Sequence, residues 1–269
     1  MTKARASRTK MRQTALVTGA SSGIGEAFAQ RLAREKFDLV IVARTRSRLE
    51  SLAKLIRDAE DVEVEVVAAD LTHTADLHAL EKRIRSEAPI DMLVNNAGFG
   101  TKGQFSKLDL AKEEEEIRLN VMALVRLTHA ALPGMIARNR GSVINVSSMA
   151  GLQPNPYFAT YGATKAFVNS FTEALYEELR GTDVRIQALC PGFTRTEFQE
   201  RAGIDTSRLP SLLWMTPEAV VDASLAGLRS SEVVCVPGFS NRVVSTMVGA
   251  VPRGVTRRFA GSVFRRFLA

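Results

Sequence analysis

The chain has 269 residues, 45% of them apolar and 24% charged, the make-up of a globular protein with a real core rather than of a disordered chain. That length suits one large α/β domain or two small ones. No apolar run approaches the ~18–20 residues a membrane span needs, and the net charge of +7 is gathered at the two ends.

Lys3, Arg5, Arg8, Lys10 and Arg12 fall within residues 1–12 without a single acid. Arg242, Arg253, Arg257, Arg258, Arg265 and Arg266 do the same within 233–269. The body between them is mildly acidic. A nucleic-acid enzyme would carry its basicity across a folded face, so no nucleic-acid partner is expected. Residues 1–12 lack the apolar core of a secretory signal and are expected to form a solvated, disordered tail. Cys190 and Cys235 lie in apolar stretches and His73, His78 and His129 lack ligand spacing, so a reduced, cytoplasmic protein with no metal site is expected.

Along the chain, short β-rich runs alternate with longer helical patterns. The runs are 14–18, 39–43, 62–68, 92–95, 142–147, 184–189 and 233–236. The helical patterns cover about 24–35, 46–59, 74–87, 112–138, 158–180 and 217–229. Such alternation predicts an α/β protein, a Rossmann-type doubly wound parallel sheet of about seven strands. No linker or internal repeat divides it, so residues 13–236 are taken as one domain. Segment 194–216 falls outside the rhythm and is expected to carry substrate specificity. Residues 237–269 are expected to form a basic C-terminal extension.

The first strand runs into Gly19-Ala20-Ser21-Ser22-Gly23-Ile24-Gly25, and a helix follows. Glycines between a strand and a helix let the backbone approach a pyrophosphate at the positive end of that helix. The second strand ends next to Arg44, with no carboxylate nearby. A cation there suits the 2′-phosphate of NADP(H), where an acid would suit the ribose hydroxyl of NAD. Arg46 and Arg48 read as a solvated helix start. Asp70, after the third strand, is placed to accept from the adenine amino group, to cap a helix, or to do both.

Tyr161 and Lys165 stand four apart and share one helical face. A neighbouring ammonium is expected to lower the phenol pKa and make the pair an acid/base. Ser148, thirteen residues earlier at the end of the fifth strand, would face the same crevice and donate to a substrate oxygen. Its neighbour Ser147 should point elsewhere, because strand neighbours alternate. Asn120 lies among apolar residues, which points to burial and a need for partners.

Together these segments resemble the short-chain dehydrogenase/reductase family over roughly residues 14–236: the glycine loop, Asn95-Asn96-Ala97-Gly98, Asn120, Ser148, Tyr161 with Lys165, and Pro191-Gly192. The resemblance implies that Tyr161 exchanges a proton with the carbonyl or alcohol oxygen. It implies that Lys165 tunes Tyr161 and holds the nicotinamide ribose, and that Ser148 orients the substrate oxygen. Asn120 would hold a water in a proton relay. Asn95 would steady the sheet, while Ala97 and Gly98 let the cofactor pass. Thr194 would meet the nicotinamide carboxamide. It also implies a homodimer or homotetramer built through the helices at 112–138 and 158–180, the second of which carries a row of small residues.

Phe99, Met149, Gln153, Tyr157, Phe193, Phe198 and Trp214 are the expected substrate pocket. That set is apolar and aromatic, so a lipid-like ketone or 3-oxoacyl chain fits better than a sugar. Val236-Pro237-Gly238, Asn241-Arg242 and Pro252-Arg253 resemble a bacterial subgroup of acyl and hydroxysteroid-type reductases. On a helix, 255–268 would be basic and amphipathic, so 254–269 is expected either to make peripheral membrane contact or to pack on the protein. Two other readings share this fold: a non-catalytic NADP-binding scaffold or regulatory protein, and a sugar-nucleotide epimerase or dehydratase. The intact Ser148, Tyr161 and Lys165 speak against the first. The spacing of the glycine loop speaks against the second.

Overall fold

The computed structural model describes residues 12–86, 88–203 and 214–251, together with 254 and 258. Seven strands form one sheet: β1 (Thr14–Thr18), β2 (Asp38–Ala43), β3 (Val64–Ala68), β4 (Met92–Asn95), β5 (Gly141–Val146), β6 (Val184–Leu189) and β7 (Val234–Cys235). Their order is β3-β2-β1-β4-β5-β6-β7, and every neighbouring pair is parallel. The expected doubly wound sheet is therefore present. Near-continuous apolar strands such as Leu39-Val40-Ile41-Val42 are what a sheet covered on both faces requires.

The helices are α1 (Gly23–Arg34), α2 (Arg46–Ala59), α3 (Thr74–Ile84), α4 (Leu110–Ile117), α5 (Leu124–Ala137), α6 (Ala159–Glu178), α7 (Phe198–Arg201), α8 (Pro217–Arg229) and α9 (Phe239–Ala250). In α2, Leu49, Leu52, Ala53 and Ile56 recur at helical spacing and form its buried stripe. They join residues of α1 and α8 over Val17, Ile41 and Val94 on one face of the sheet. Leu77 and Leu80 of α3 with Leu127 and Met135 of α5 cover Leu16, Val40 and Leu93 on the other. Chain order reverses between β1 and β4, and their carboxyl ends open the crevice where such sheets bind ligands.

Four expectations change. The single helix expected over 112–138 is two helices joined by a π turn at Arg118–Ala123. Together they make a 28-residue stretch, Leu110–Ala137, long and apolar enough by composition to cross a bilayer. Ala123, Leu127, Ala130, Ala131 and Met135 of this stretch pack on the sheet, while Leu110, Ile117, Met122 and Ile136 lie exposed. Arg12, assigned to the tail, is instead held 2.5 Å from Asp61 and 3.9 Å from Asp38, because it lies two residues before β1, whose first residue pairs with the start of β2. Val62 and Glu63 leave the third strand, since Val62 N bonds Glu60 O and Glu63 N is taken by Asp38. The C-terminal extension opens with a helix, α9, that the apolar pattern did not announce. The amphipathic pattern of 255–268 lies outside the described residues, apart from position 258.

Candidate active site

One cleft of about 1150 Å³ runs along the carboxyl ends of the strands, from Arg44 and Asp70 past the β1–α1 loop to Tyr161 and Phe198. Gly19 turns the chain out of β1 with φ +66°, a conformation side chains resist. Asn96 fastens the loop from below: its Nδ2 donates to Thr18 O at 2.9 Å and Gly19 O at 3.2 Å. Ser21, Ser22, Gly23 and Ile24 line the cleft. Gly25, also expected there, is buried behind the loop. A Cβ on it would lie 2.3 Å from Gly19 O and 2.4 Å from Asn96 Nδ2, so its hydrogen lets α1 pack tightly on β1. Ser22 caps α1 without a side-chain hydrogen bond to its first amides. Those amides suit an anion.

At the far end, Arg46 pairs with Glu50 at 3.4 Å and Arg48 with Glu197 at 2.9 Å. Arg44 makes no ion pair or hydrogen bond among the described residues and lies exposed on the cleft. Asp70 accepts from Thr72 N at 3.0 Å and Thr72 Oγ1 at 2.7 Å, so it caps the turn and lines the cleft together. Burial raises its pKa, but the two Thr72 bonds and the Arg44 charge outweigh burial and hold it below the usual value.

Midway, β5 delivers Ser148 and α6 delivers Tyr161 and Lys165 to one point. Ser148 faces the Tyr161 phenol closely enough to pull its pKa down, and its hydroxyl accepts from Ala150 N at 3.1 Å. Ser147 points away, as expected, donating to Lys165 O at 2.9 Å. Lys165 Nζ donates to Val146 O at 2.8 Å and lies 5.7 Å from the Tyr161 ring centroid. The expected lowering of the phenol pKa is absent. Burial pushes Tyr161 up to about 12, with Ser148 pulling down and Glu116 pushing further up. Burial likewise brings Lys165 down to about 8, with Glu116 opposing it. Sequence spacing places the pair but does not reveal how deeply it is buried.

Asn120 is buried in the π turn. Its Oδ1 accepts from Phe99 N at 3.1 Å, and its Nδ2 donates to Phe99 O at 2.8 Å and Thr164 Oγ1 at 3.1 Å. It stands close to Lys165, since a Cβ on Gly98 would lie 2.8 Å from Asn120 Oδ1 and 3.5 Å from Lys165 Nζ. Asn95 donates to Thr128 at 3.0 Å and Asn145 at 2.9 Å, a polar bridge within the sheet core. Ala97, Gly98, Pro191, Gly192 and Thr194 all line the cleft, with Thr194 Oγ1 bonded to Gly192 O at 3.1 Å.

The outer cleft brings together Phe99, Met149, Gln153, Phe193 and Phe198. Tyr157 and Trp214 are not in its lining. Tyr157 is spent on the backbone: it sits at φ +67°, and its carbonyl accepts from Gly103 N. Trp214 packs behind Phe193, ring centroids 5.7 Å apart, and under Arg195. The ends of segment 194–216 are pinned by the Thr194–Met215 bridge, and residues 204–213 lie outside the described residues. The sequence reading missed Leu152, Phe158, Asn241 and Val244 in the lining. Only the fold brings α9 back to the cleft, where Asn241 packs against Gly192.

The lining fits a dinucleotide. Gly25 lets α1 pack close behind the β1–α1 loop, and Arg44 lies exposed at the Asp70 end of the cleft with no ion pair or hydrogen bond among the described residues.

The family model for short chain dehydrogenase matches residues 13–206. A very-long-chain 3-oxoacyl-CoA reductase from Anas platyrhynchos is 29% identical over 94% of this chain and 82% of its own length. A short-chain dehydrogenase from Sphingobium yanoikuyae, solved in complex with NADPH, is 38% identical with a TM-score of 0.80, covering 90% of this chain and 97% of that one. A bulky-bulky ketone specific alcohol dehydrogenase from Comamonas testosteroni is 34% identical with a TM-score of 0.76, covering 90% and 95%. The chain therefore belongs to the short-chain dehydrogenase family, oxidoreductases that use a nicotinamide cofactor on carbonyl or alcohol substrates.

Proposed function

We propose that this enzyme is an NADP(H)-dependent reductase of apolar ketones, a lipid-like ketone or 3-oxoacyl chain, with Tyr161 as the proton donor. The observation that carries the reading is the place of the Tyr161 phenol. It stands in the cleft between Lys165 and Phe198, and it is protonated at neutral pH as any phenol is, with burial pushing its pKa further up, to about 12. A general acid for reduction is needed in that form. Ser148 holds the carbonyl oxygen beside the phenol and polarises it. Lys165 binds the nicotinamide ribose, and Asn120 keeps Lys165 connected to solvent through a water. A bound nicotinamide supplies the hydride. Proton transfer from Tyr161 then meets the charge that develops on the substrate oxygen.

Preference for NADP(H) rests on Arg44, free to clamp a 2′-phosphate while its neighbours are paired. The apolar substrate rests on Phe99, Met149, Phe193 and Phe198. The relatives named above agree in kind: one is named for very-long-chain 3-oxoacyl-CoA and one for bulky ketones. The decisive experiment follows NADPH oxidation with ketones of increasing chain length, in the native enzyme and in Tyr161→Phe. The variant should lose at least ~10²-fold in kcat and still bind NADPH. Near-normal turnover would refute the assignment of Tyr161, and faster turnover of polar sugars would refute the substrate class.

Assembly as a homodimer or homotetramer is part of the same proposal. Ile117 beside the π turn, Met122 within it and Phe167 on α6 expose large apolar surface, and Phe167 stacks on Phe171. A cytoplasmic location rests on the free, buried Cys190 and Cys235, and peripheral membrane contact through 254–269 rests on the sequence pattern of the C-terminus.

A further inference from the structure

The cleft is walled on one side by a short strap of backbone, Gly98 to Thr101, between β4 and α4. Gly100 of this strap lies directly on the Tyr161 ring: a Cβ there would sit 2.7 Å from Cδ2 and 3.0 Å from Cγ. Two side chains hold the strap from behind. Asn120 takes both backbone groups of Phe99. Glu116, four residues earlier, takes Thr101: its Oε2 accepts from Thr101 N and from Thr101 Oγ1, each at 2.9 Å.

Glu116 is an unusual choice for such a clasp. Its relative exposure is 0%, and its Oε1 has no hydrogen-bond partner among the described residues. A carboxylate buried this way favours its protonated form. Burial is the largest influence and raises Glu116 to about 7. The Thr101 bonds and Lys165 pull it down, while Glu113 pushes it up. The titratable groups facing it are Glu113 on its own helix and Tyr161 and Lys165 on α6. Glu113 is itself buried and accepts from the Thr160 hydroxyl.

We propose that Glu116 is a positioning residue, one that pins the Gly98–Thr101 strap against the Tyr161 ring and makes its own proton felt at the reacting centre. In the sequence it is one of four consecutive glutamates, a run that resembles a solvated helix face. The catalytic part of the proposal rests on Tyr161 being the acid. The sign follows from the charges. An ionised Glu116 raises the proton affinity of Tyr161 and makes it a weaker donor. Ketone reduction should therefore fall to a lower plateau as pH rises through about 7. Stability follows the same sign. The folded pKa lies above the ordinary 4.5, so stability is full below that value and is lost as pH rises toward 7.

Two near-isosteric variants test this in the full-length protein. Glu116→Gln keeps an acceptor for Thr101 but cannot titrate. It should abolish the inflection near pH 7 in kcat, leave NADPH affinity within about threefold, about 0.65 kcal/mol by the tenfold constant, and flatten the melting temperature between pH 5 and 8. Thr101→Val removes one of the two bonds that lower the Glu116 pKa, so it should move the inflection upward. An inflection that survives Glu116→Gln, or that moves down or stays in Thr101→Val, overturns the coupling. A melting temperature whose pH dependence is unchanged in Glu116→Gln overturns the buried titration itself, and this arm needs no turnover. A fully active Tyr161→Phe overturns the assignment of Tyr161 instead. In that case the kinetic coupling falls with it, and the melting arm alone decides whether Glu116 titrates under the strap.

Discussion

Adding one methyl group at Gly100 should disable the reaction without unfolding the protein. In Gly100→Ala the new Cβ would sit 2.7 Å from Tyr161 Cδ2, 3.0 Å from Cγ and 3.4 Å from Phe198 Cζ. Carbon contacts relax to about 3.5–4.0 Å, so ring and strap must part by roughly 1 Å. The ring has little room, because Phe198 packs on it with centroids 5.4 Å apart. The strap has little either, being held at Phe99 and Thr101. A misplacement of ~1 Å at a reacting group costs on the order of 10²-fold in rate, about 2.7 kcal/mol. We expect that loss in kcat from NADPH oxidation with a saturating ketone. NADPH affinity by fluorescence and the far-ultraviolet circular dichroism spectrum should be unchanged. A Gly100→Ala enzyme within threefold of native kcat would show that the strap does not set the Tyr161 position.

Arg44→Asp should weaken NADPH binding by at least ~10-fold, since a charge-assisted hydrogen bond contributes about 1.5–3 kcal/mol and the new carboxylate repels phosphate. Titrations with NADPH and NADH should show the preference reversed, and equal affinities in the native enzyme would remove the basis for assigning NADP. Light scattering at micromolar concentration should report a dimer or tetramer, and a monomer would refute assembly through α4, α5 and α6. Co-sedimentation with anionic vesicles should weaken with salt and vanish when residues 254–269 are deleted. Protein that stays in the supernatant at low salt would refute the membrane contact.

Much of this architecture was legible because its signals are local. Strand and helix periods gave the order of elements, and glycine placement gave the turn out of β1 that lines the cleft. Ser148, Tyr161 and Lys165 converge because one strand end and one helix face carry them. What stayed hidden depends on packing. Tyr157 and Trp214 look like pocket residues by type, but one is committed to a turn at positive φ and the other lies behind Phe193. The tyrosine–lysine spacing promised a lowered phenol pKa, whereas burial, which no spacing reports, drives it up. Glu116 and Gly100 matter only because the strap passes between α4 and α6. The return of α9 to the cleft is equally a property of the folded chain.

The π turn at Arg118–Ala123 bears on how this chain can change over evolutionary time. A wide turn of this kind accommodates an extra residue within a helix. Each residue turns an α-helix by about 100°. Over its six residues this wider turn lags a regular α-helix by about one residue's rotation. Deleting one residue here would therefore restore a plain α-helix with both halves facing as before, Glu113 and Glu116 toward Thr160 and the strap, Leu127 and Met135 toward the sheet. The same deletion one turn away would rotate one half against the other. The turn is thus where the stretch from Leu110 to Ala137 can change length, at the expense of Asn120, which lies within it and holds Phe99.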